Sequence, residues 1–572
     1  MSLIPAQLEL GQGFVVNGRY RVMRELGHGG MGIVYLVEDL HDHGKRLALK
    51  MLLPDPANLH MMERFHVEFA GLSKLRHPNI AAACDFGRIA GTQTCYFTSE
   101  FVTGVDIYRG TVNATTPQIL GLFAQTLRGI EVVHKSGYVH NDLKPGNILL
   151  EFLPHKQPTK AINGPSGKPG PAAQSLGRVK IIDFGLFSVA NTSWSDLLGT
   201  PQYLSPERIR GEVVDQRSDL YSLGFIFYAL LARTLPFNEP DPERLLTLQL
   251  EQKPPSLSFF RPDLSASLIA FVEQLMQKRP GDRFPTAGEA LAALEREIRT
   301  HHDERSGYTA ADLSAGSLVR REREFIALQE QFFIASALAR DSSSLVLKGP
   351  SGIGKTRLVR ELRGLVQVSG GAYIELPGIA SDVTTAQAAE AIWVGLETSG
   401  LRDLSEARKA AKAASLAVGD SQAIAKVVQD VVLRCAHSMP ILLFFDDFLR
   451  ASPGVQTLAL ELIRTADEHL SSRTGKPRLL VVLGWRTDEA IAARAALPPI
   501  PDLPVLELKP FSTDDSCALI KTLFDRDDIP EGTLSSVAGC AQGIPGRVLE
   551  LVTDLVENES VRHDGSAWVF PG

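Results

Sequence analysis

Hydrophobic positions along the chain fall into four successive regimes. Between about residues 20 and 100, apolar and β-branched residues come in short runs broken by glycine turns. The runs Tyr20–Leu26, Ile33–Asp39 and Arg46–Leu52 predict strands. One segment there, Met61–Leu75, spaces its apolar residues for a helix and stops before His77 and Pro78. From Thr116 onward longer amphipathic segments dominate, at 117–136, 218–232, 243–252, 266–277 and 286–299. A small β-rich lobe followed by a larger helical lobe is the implied outline. Past residue 315, apolar strands alternate with helical patterns: Ser344–Lys348, Gly371–Leu376, Pro440–Phe445 and Leu479–Trp485. That alternation predicts an α/β domain with a mainly parallel sheet. From Lys509 to about Asn558 the pattern turns helical again.

Two polar stretches punctuate this order. Residues 153–177 are rich in Pro, Gly, Ser and Lys with almost no apolar periodicity, which predicts a mobile insert. Residues 301–315 resemble a linker. The expected boundaries are a two-lobed unit over 14–298, its lobes meeting near residue 102, and a linker over 299–315. An α/β domain follows over 316–508, then a helical lid subdomain with the start of a further domain over 509–572.

Composition narrows the class without fixing it. At 572 residues the chain is too long for one core, and length favours several domains. Its 44% apolar and 22% charged content is that of a globular protein. A formal net charge of −7 leaves no electrostatic footprint for nucleic acid or an anionic membrane. The five cysteines, Cys84, Cys95, Cys435, Cys517 and Cys540, show neither zinc spacing nor a disulfide framework, so a reducing cytoplasm is expected. Met1–Gln12 lacks the pattern of a secretory signal, and the apolar run Leu220–Ala232 is too short to span a bilayer and suits a buried helix.

Candidate chemistry begins with two glycine loops about 320 residues apart. The first, G-H-G-G-M-G, comprises Gly27, His28, Gly29, Gly30, Met31 and Gly32, and it lies between two predicted strands. With no helix following, the pattern argues for a flap over ATP phosphates and against a dinucleotide fold. Lys50 on the third strand can reach the α- and β-phosphates, and Glu68 on the helix is its expected ion-pair partner. Further on come Y-V-H-N-D-L-K-P-G-N (Tyr138–Asn147) and I-I-D-F-G (181–185). Phosphoryl transfer requires a carboxylate to take a hydroxyl proton, a cation near the γ-phosphate, and oxygen ligands for Mg²⁺. Asp142 fits the base, Lys144 the γ-phosphate contact, and Asn147 with Asp183 the metal. The run Gly199–Glu207, Asp219 and Arg283 follow in the order of a substrate platform and its supporting ion pairs.

These residues together resemble a bacterial Hanks-type serine/threonine protein kinase over about residues 14–298. The resemblance implies the α+β two-lobed kinase fold, ATP and Mg²⁺ between the lobes, and protein substrates with Ser or Thr acceptors. It implies Ser99 at the gatekeeper position, Glu100 to Val102 as the hinge, and Val34 and Ala48 beside the nucleotide. It also implies that Thr200 helps hold Asp142 and Lys144. Asn141 departs from the family, standing where an arginine usually grips a phosphorylated activation loop. Activity with little need for activation-loop phosphorylation is expected, and replacing Thr192, Ser193 and Ser195 by alanine tests it. Ser205 replaces a usual alanine, a change expected to be tolerated.

The second loop, G-P-S-G-I-G-K-T, comprises Gly349, Pro350, Ser351, Gly352, Ile353, Gly354, Lys355 and Thr356. It follows a predicted strand and opens a helix, the context of a P-loop. Lys355 is expected at the β/γ oxygens and Thr356 on Mg²⁺. The apolar strand ending in Asp446 and Asp447 supplies a carboxylate that holds Mg²⁺ through water and one that polarises the attacking water. Residues 316–558 resemble the STAND-type branch of AAA+-like ATPases, supported by L-V-R-R-E-R-E-F (318–325), L-G-W-R-T-D-E (483–489) and G-I-P-G (543–546). The resemblance implies Arg486 sensing the γ-phosphate, Pro545 against adenine, and Arg321 in the family's N-terminal box, where Arg320 replaces the usual glycine. It implies a nucleotide switch with self-association through this domain. The family carries further domains beyond this point, so a fragment of a longer protein is the expectation. A signalling kinase coupled to such a switch is the leading reading. A nucleotide-binding scaffold, or a transcriptional regulator with the ATPase as its output, are the alternatives, although no helix-turn-helix or basic face supports the latter.

Overall fold

A computed structural model describes residues 10–29, 32–52, 59–92, 94–151, 176–184, 188–190, 192–193, 200–299, 318–336, 344–376, 383–399, 409, 421–468, 477–487, 502–524, 526–558, 560–563 and 568–570. The chain divides into two compact units. One comprises residues 1–58, 83–100 and 317–552, the other residues 59–82, 101–316 and 553–572.

The first unit holds two sheets. Strands β1 (Val15–Val16), β2 (Tyr20–Gly29), β3 (Gly32–Asp39), β4 (Lys45–Leu52), β5 (Ala83–Arg88) and β6 (Cys95–Glu100) form an antiparallel sheet in the order β1-β2-β3-β4-β6-β5. Alternation of apolar and polar residues buries one face, where Tyr20, Val22, Tyr35, Val37, Leu49, Met51 and Tyr96 pack together. The other sheet is parallel, with the strands ordered Ala372–Leu376, Ile441–Phe445, Leu479–Arg486, Ser344–Gly349 and Val505–Glu507. Its central strands are apolar on both faces, as a sheet covered by helices on each side requires. Trp393, Phe445 and Phe448 fill one side, and Phe332, Tyr373 and Phe444 the other.

The second unit is mainly helical. Helix Arg217–Ala232 is buried along almost its whole length, which agrees with the reading of its apolar run as core. Helix Thr116–Lys135, opened by a Thr115/Gln118 capping box, packs against it through stacked Phe123 and Phe227 rings at 3.9 Å between centroids. Strands Ile148–Glu151 and Arg178–Ile181 form an antiparallel pair beside Gly104–Asp106. Glu151 faces Arg178 across this pair, so the predicted insert runs from one strand of a hairpin to the other. Its residues 153–175, the linker over 301–315 and the loop positions Gly30 and Met31 lie outside the described residues. Predicted elements shift by up to three residues at their ends; the helix expected over Met61–Leu75 spans Leu59–Leu72. Among the described residues no helix is long and apolar enough to cross a membrane.

Candidate active site and candidate nucleotide site

The segment around Asp142 hangs from one buried carboxylate. Asp219, on the helix Arg217–Ala232, accepts from the His140 amide at 2.8 Å and the Asn141 amide at 2.9 Å. His134 Nε2 lies 2.8 Å from the same carboxylate. Burial alone would raise the Asp219 pKa, but these partners more than offset it and hold the group below the usual carboxylate range. Asn141 is thereby held at φ 63°, a left-handed conformation of the kind that persists where surroundings over-determine it. Arg208, itself buried, donates to the Asn141 carbonyl. Nothing in the residue pattern pointed to Arg208 or His134 as supports of this turn.

Asp142 follows directly, with its side chain close to two cationic or donating groups. Lys144 Nζ donates to Asp142 Oδ2 at 2.8 Å. Asn147 Nδ2 donates to the Asp142 carbonyl at 2.8 Å and to Oδ2 at 3.1 Å. The Asn147 carbonyl accepts from the Ile182 amide at 2.9 Å, which draws Asp183 to the same place. Asp183 sits at φ 55°, again left-handed, and the neighbouring Phe184 ring packs on His140 with centroids 4.5 Å apart. Three predicted residues, Asp142, Lys144 and Asn147, are thus brought into direct contact, and Asp183 is tied to them through the backbone. Such a cluster offers a proton acceptor, a cation and hard oxygen donors. Thr200 is not joined to Asp142 or Lys144 by a hydrogen bond among the described residues; it precedes the short helix Pro201–Tyr203. Ser205 satisfies its hydroxyl on Ser218 Oγ at 2.7 Å, the physical reason this buried position accepts serine. Arg283 binds Glu207 through two bonds of 2.7 and 2.8 Å in full burial.

Lys50, Val34 and Ala48 lie on β3 and β4, where Val34 pairs with Lys50 and Ala48 with Ser99. Lys50 Nζ stands 5.7 Å from the centre of the Phe97 ring. Gly27, His28 and Gly29 end β2, and Gly29 pairs with Gly32. A Cβ at Gly32 would lie 2.1 Å from the Met51 carbonyl oxygen, so β3 and β4 approach this closely only at glycine. Ser99 and Glu100 close β6. Glu68 is buried on its helix, and Val102 is buried beyond β6.

In the parallel sheet, strand order gathers three strand ends at one edge: Gly349, the Asp446–Asp447 pair and Arg486. Gly352 and Gly354 adopt φ 73° and 102°, which lets the loop curl. Thr356 Oγ1 donates to Asp446 Oδ2 at 2.6 Å, and Lys355 Nζ donates to the Gly349 and Pro350 carbonyls, both at 2.9 Å. Burial raises the Asp446 pKa, and the adjacent Asp447 adds to it. A buried carboxylate of this kind beside a hydroxyl suits a hard divalent cation. Asp447, at φ 47°, receives Arg486 Nε on Oδ1 at 2.7 Å and the same guanidinium on Oδ2. Pro545 opens the helix Pro545–Glu557, and the next amide, Gly546, donates to the Gly352 carbonyl at 2.9 Å. Ile353 is buried in the core under the loop. Arg321 lies over the Phe511 ring and donates to the Lys509 carbonyl at 2.7 Å, while Arg320, at the position of the expected glycine, takes φ 54°. The backbone there keeps a glycine-like conformation although the residue has changed. Among the described residues no group of three or more His, Cys, Asp or Glu is placed to hold a metal. The two candidate sets combine a carboxylate with an amide or hydroxyl oxygen instead.

Fold and site define two domain classes. Residues 20–294 match the protein kinase domain family, and residues 317–482 match the AAA ATPase domain family. The chain therefore joins a protein kinase domain to an AAA ATPase domain.

The first domain is similar to that of several bacterial serine/threonine kinases. Serine/threonine-protein kinase pkn2 of Myxococcus xanthus is 35% identical over 292 residues, 49% of this chain and 32% of that protein. PrkC of Bacillus subtilis is 30% identical over 297 residues, 50% of this chain and 41% of that protein. PknB of Mycobacterium tuberculosis is 32% identical over 302 residues, 50% of this chain and 44% of that protein. The chain thus spans less than half the length of these three relatives. The PknI kinase domain of Mycobacterium tuberculosis is similar over 50% of this chain and 100% of its own, at 26% identity and a TM-score of 0.37.

Proposed function

We propose that the chain is a signalling serine/threonine protein kinase that transfers the ATP γ-phosphate to a Ser or Thr hydroxyl of another protein. The observation that carries this is the Asp142 cluster: a carboxylate in contact with Lys144 and Asn147, on a turn fixed by Asp219. Asp142 Oδ2 takes the acceptor's proton as its oxygen attacks phosphorus. Lys144 offsets the charge that gathers on the transferred group, and Lys50 aligns the α- and β-phosphates with Glu68 as its partner. Asn147 and Asp183 hold Mg²⁺, which supplies charge neutralisation at the phosphate oxygens. Ser99, Glu100 and Val102 meet the adenine, with Val34, Ala48 and the glycine flap from Gly27 to Gly32 enclosing the nucleotide. Arg208 supports the Asn141 turn from within the fold, which favours activity without a phosphorylated activation loop.

The second domain, in this reading, is a STAND-type nucleotide switch. Residues 349–356 cradle the phosphates, Thr356 and Asp446 hold Mg²⁺, Asp447 orients water, Arg486 reads the γ-phosphate and Pro545 borders adenine. Self-association through this domain and a cytoplasmic location belong to the same proposal, the latter supported by cysteines that form no disulfide among the described residues. Radiolabelled phosphate transfer to a generic protein acceptor tests the kinase reading. Incorporation by wild type that survives Asp142→Asn counts against it. The nucleotide-scaffold alternative predicts binding without transfer.

A further inference from the structure

The helix that leaves the P-loop reaches the kinase's β-sheet. Helix Lys355–Arg360 is followed by Glu361 and Leu362, both in right-handed helical conformation, and then by helix Arg363–Val368. The run from Lys355 to Val368 is therefore a nearly continuous rod about 20 Å long. Arg363 and Gln367, one turn apart, both meet Asp85 of β5. Arg363 donates to Asp85 Oδ1, and Gln367 Nε2 donates to the same oxygen at 2.8 Å. Gln367 Oε1 accepts from the Phe86 amide at 3.2 Å. Asp85 is buried, and Tyr20 donates to its other oxygen at 3.0 Å. Burial would raise the Asp85 pKa, but Arg363 and Arg19 outweigh it and leave the group at about 2.

A second contact flanks this one. The Thr398 carbonyl, at the end of helix Thr385–Thr398, accepts from Asn17 Nδ2 at 3.1 Å. A Cβ at Gly87 would stand 2.8 Å from that carbonyl, so β5 carries a glycine where the helix end approaches. Across the sheet, Phe86 pairs with Phe97 on β6, and Phe97 pairs with Lys50 on β4. Two strand spacings, about 10 Å, separate the contact from Lys50.

We propose that nucleotide at the P-loop is coupled to the kinase sheet through Arg363 and Gln367, with Asp85 and Phe86 as the receiving end. This deepens the switch reading above and rests on it. Phosphate bound at the amino end of the rod orders Lys355 and Thr356, and the rod carries that order to the Gln367–Phe86 bond. Couplings of this kind amount to roughly 5–150-fold in an equilibrium.

The test is hydrogen–deuterium exchange in the full chain, with and without Mg²⁺ and ADP. Protection of 349–356 reports nucleotide at the P-loop, and exchange of 83–88 reports the sheet. Wild type is expected to slow exchange of 83–88 by about five-fold or more when 349–356 becomes protected. Lys355→Ala is expected to lose both responses. Arg363→Met and Gln367→Leu are expected to keep protection at 349–356 and lose the response at 83–88; if one variant does not fold, the other decides. An equal response at 83–88 in Lys355→Ala assigns it to the kinase's own nucleotide and overturns the coupling. So does a wild-type chain protected at 349–356 but unchanged at 83–88, or a response that persists in Arg363→Met or Gln367→Leu. No protection at 349–356 in wild type overturns the P-loop reading and the coupling together. The kinase reading is judged apart from all of these, by phosphate transfer.

Discussion

The loop Gly27–Gly32 and the loop Gly349–Thr356 both rely on glycine, but for different reasons. In the first, Gly29 pairs with Gly32 across two antiparallel strands, and Gly32 is needed because the Met51 carbonyl leaves no room for a side chain. In the second, Gly352 and Gly354 are needed for left-handed φ, and a Cβ at Gly354 would meet nothing within 4 Å. The second loop is also clasped from outside by the Gly546 amide and from within by Lys355, which donates to the Gly349 and Pro350 carbonyls. A flap made of strands suits a nucleotide that is consumed and exchanged. A loop pinned by a helix, a lysine and a neighbouring subdomain suits one that is held.

Four substitutions or conditions break or sharpen this contrast. Asp219→Ala removes the acceptor that fixes the turn before Asp142 and leaves buried donors without a partner. A loss of about 3–5 kcal/mol in unfolding free energy by denaturant titration is expected, since half of a buried charged cluster remains. Gly32→Ala forces β3 from β4 and should lower phosphate transfer about a hundred-fold, the scale of an ångström's misplacement. Acid comes next. Asp85 titrates at about 2 in the fold against an ordinary carboxylate value near 3.8, so the fold favours its ionised form. That contribution is complete above pH of about 4 and is lost as pH falls through about 2, roughly 2 kcal/mol in all. Comparing the pH dependence of stability in wild type and Asp85→Asn across this range should show a flatter acid limb for the variant. Gly354→Ala is the mildest. It imposes about 1–2 kcal/mol of backbone strain without a clash, so nucleotide affinity at the P-loop should fall about ten-fold by calorimetry while transfer by the kinase domain is retained.

Much of this was legible along the chain, and what was not has a physical cause. Strand and helix positions followed from apolar periodicity, because each element buries one face. The Asp142–Lys144–Asn147 cluster was readable because its members lie within six positions of one another, on one turn. Thr356 with Asp446 was readable from a P-loop followed by an apolar strand ending in acids. Thr200 was expected to help hold Asp142 and Lys144, and among the described residues no hydrogen bond joins it to either. Arg208 and His134 were invisible, because each acts through a backbone carbonyl or a buried carboxylate far away in sequence. Asp85 with Arg363 and Gln367 was equally hidden: nothing local to β5 marks a residue that is satisfied 278 positions later. Arg320 shows the reverse case. The expected glycine was missing, yet the backbone kept its left-handed φ of 54°.

The central claim is that one nucleotide site in this chain transfers phosphate and the other reports a state. Its most direct test is labelled phosphate transfer by the full chain, comparing wild type, Asp142→Asn and Lys355→Ala under identical conditions. The account predicts that Asp142→Asn loses about a thousand-fold in rate, as removal of a general base does, whereas Lys355→Ala still transfers phosphate at an altered rate. Transfer that survives Asp142→Asn, or that vanishes in Lys355→Ala alone, would contradict it.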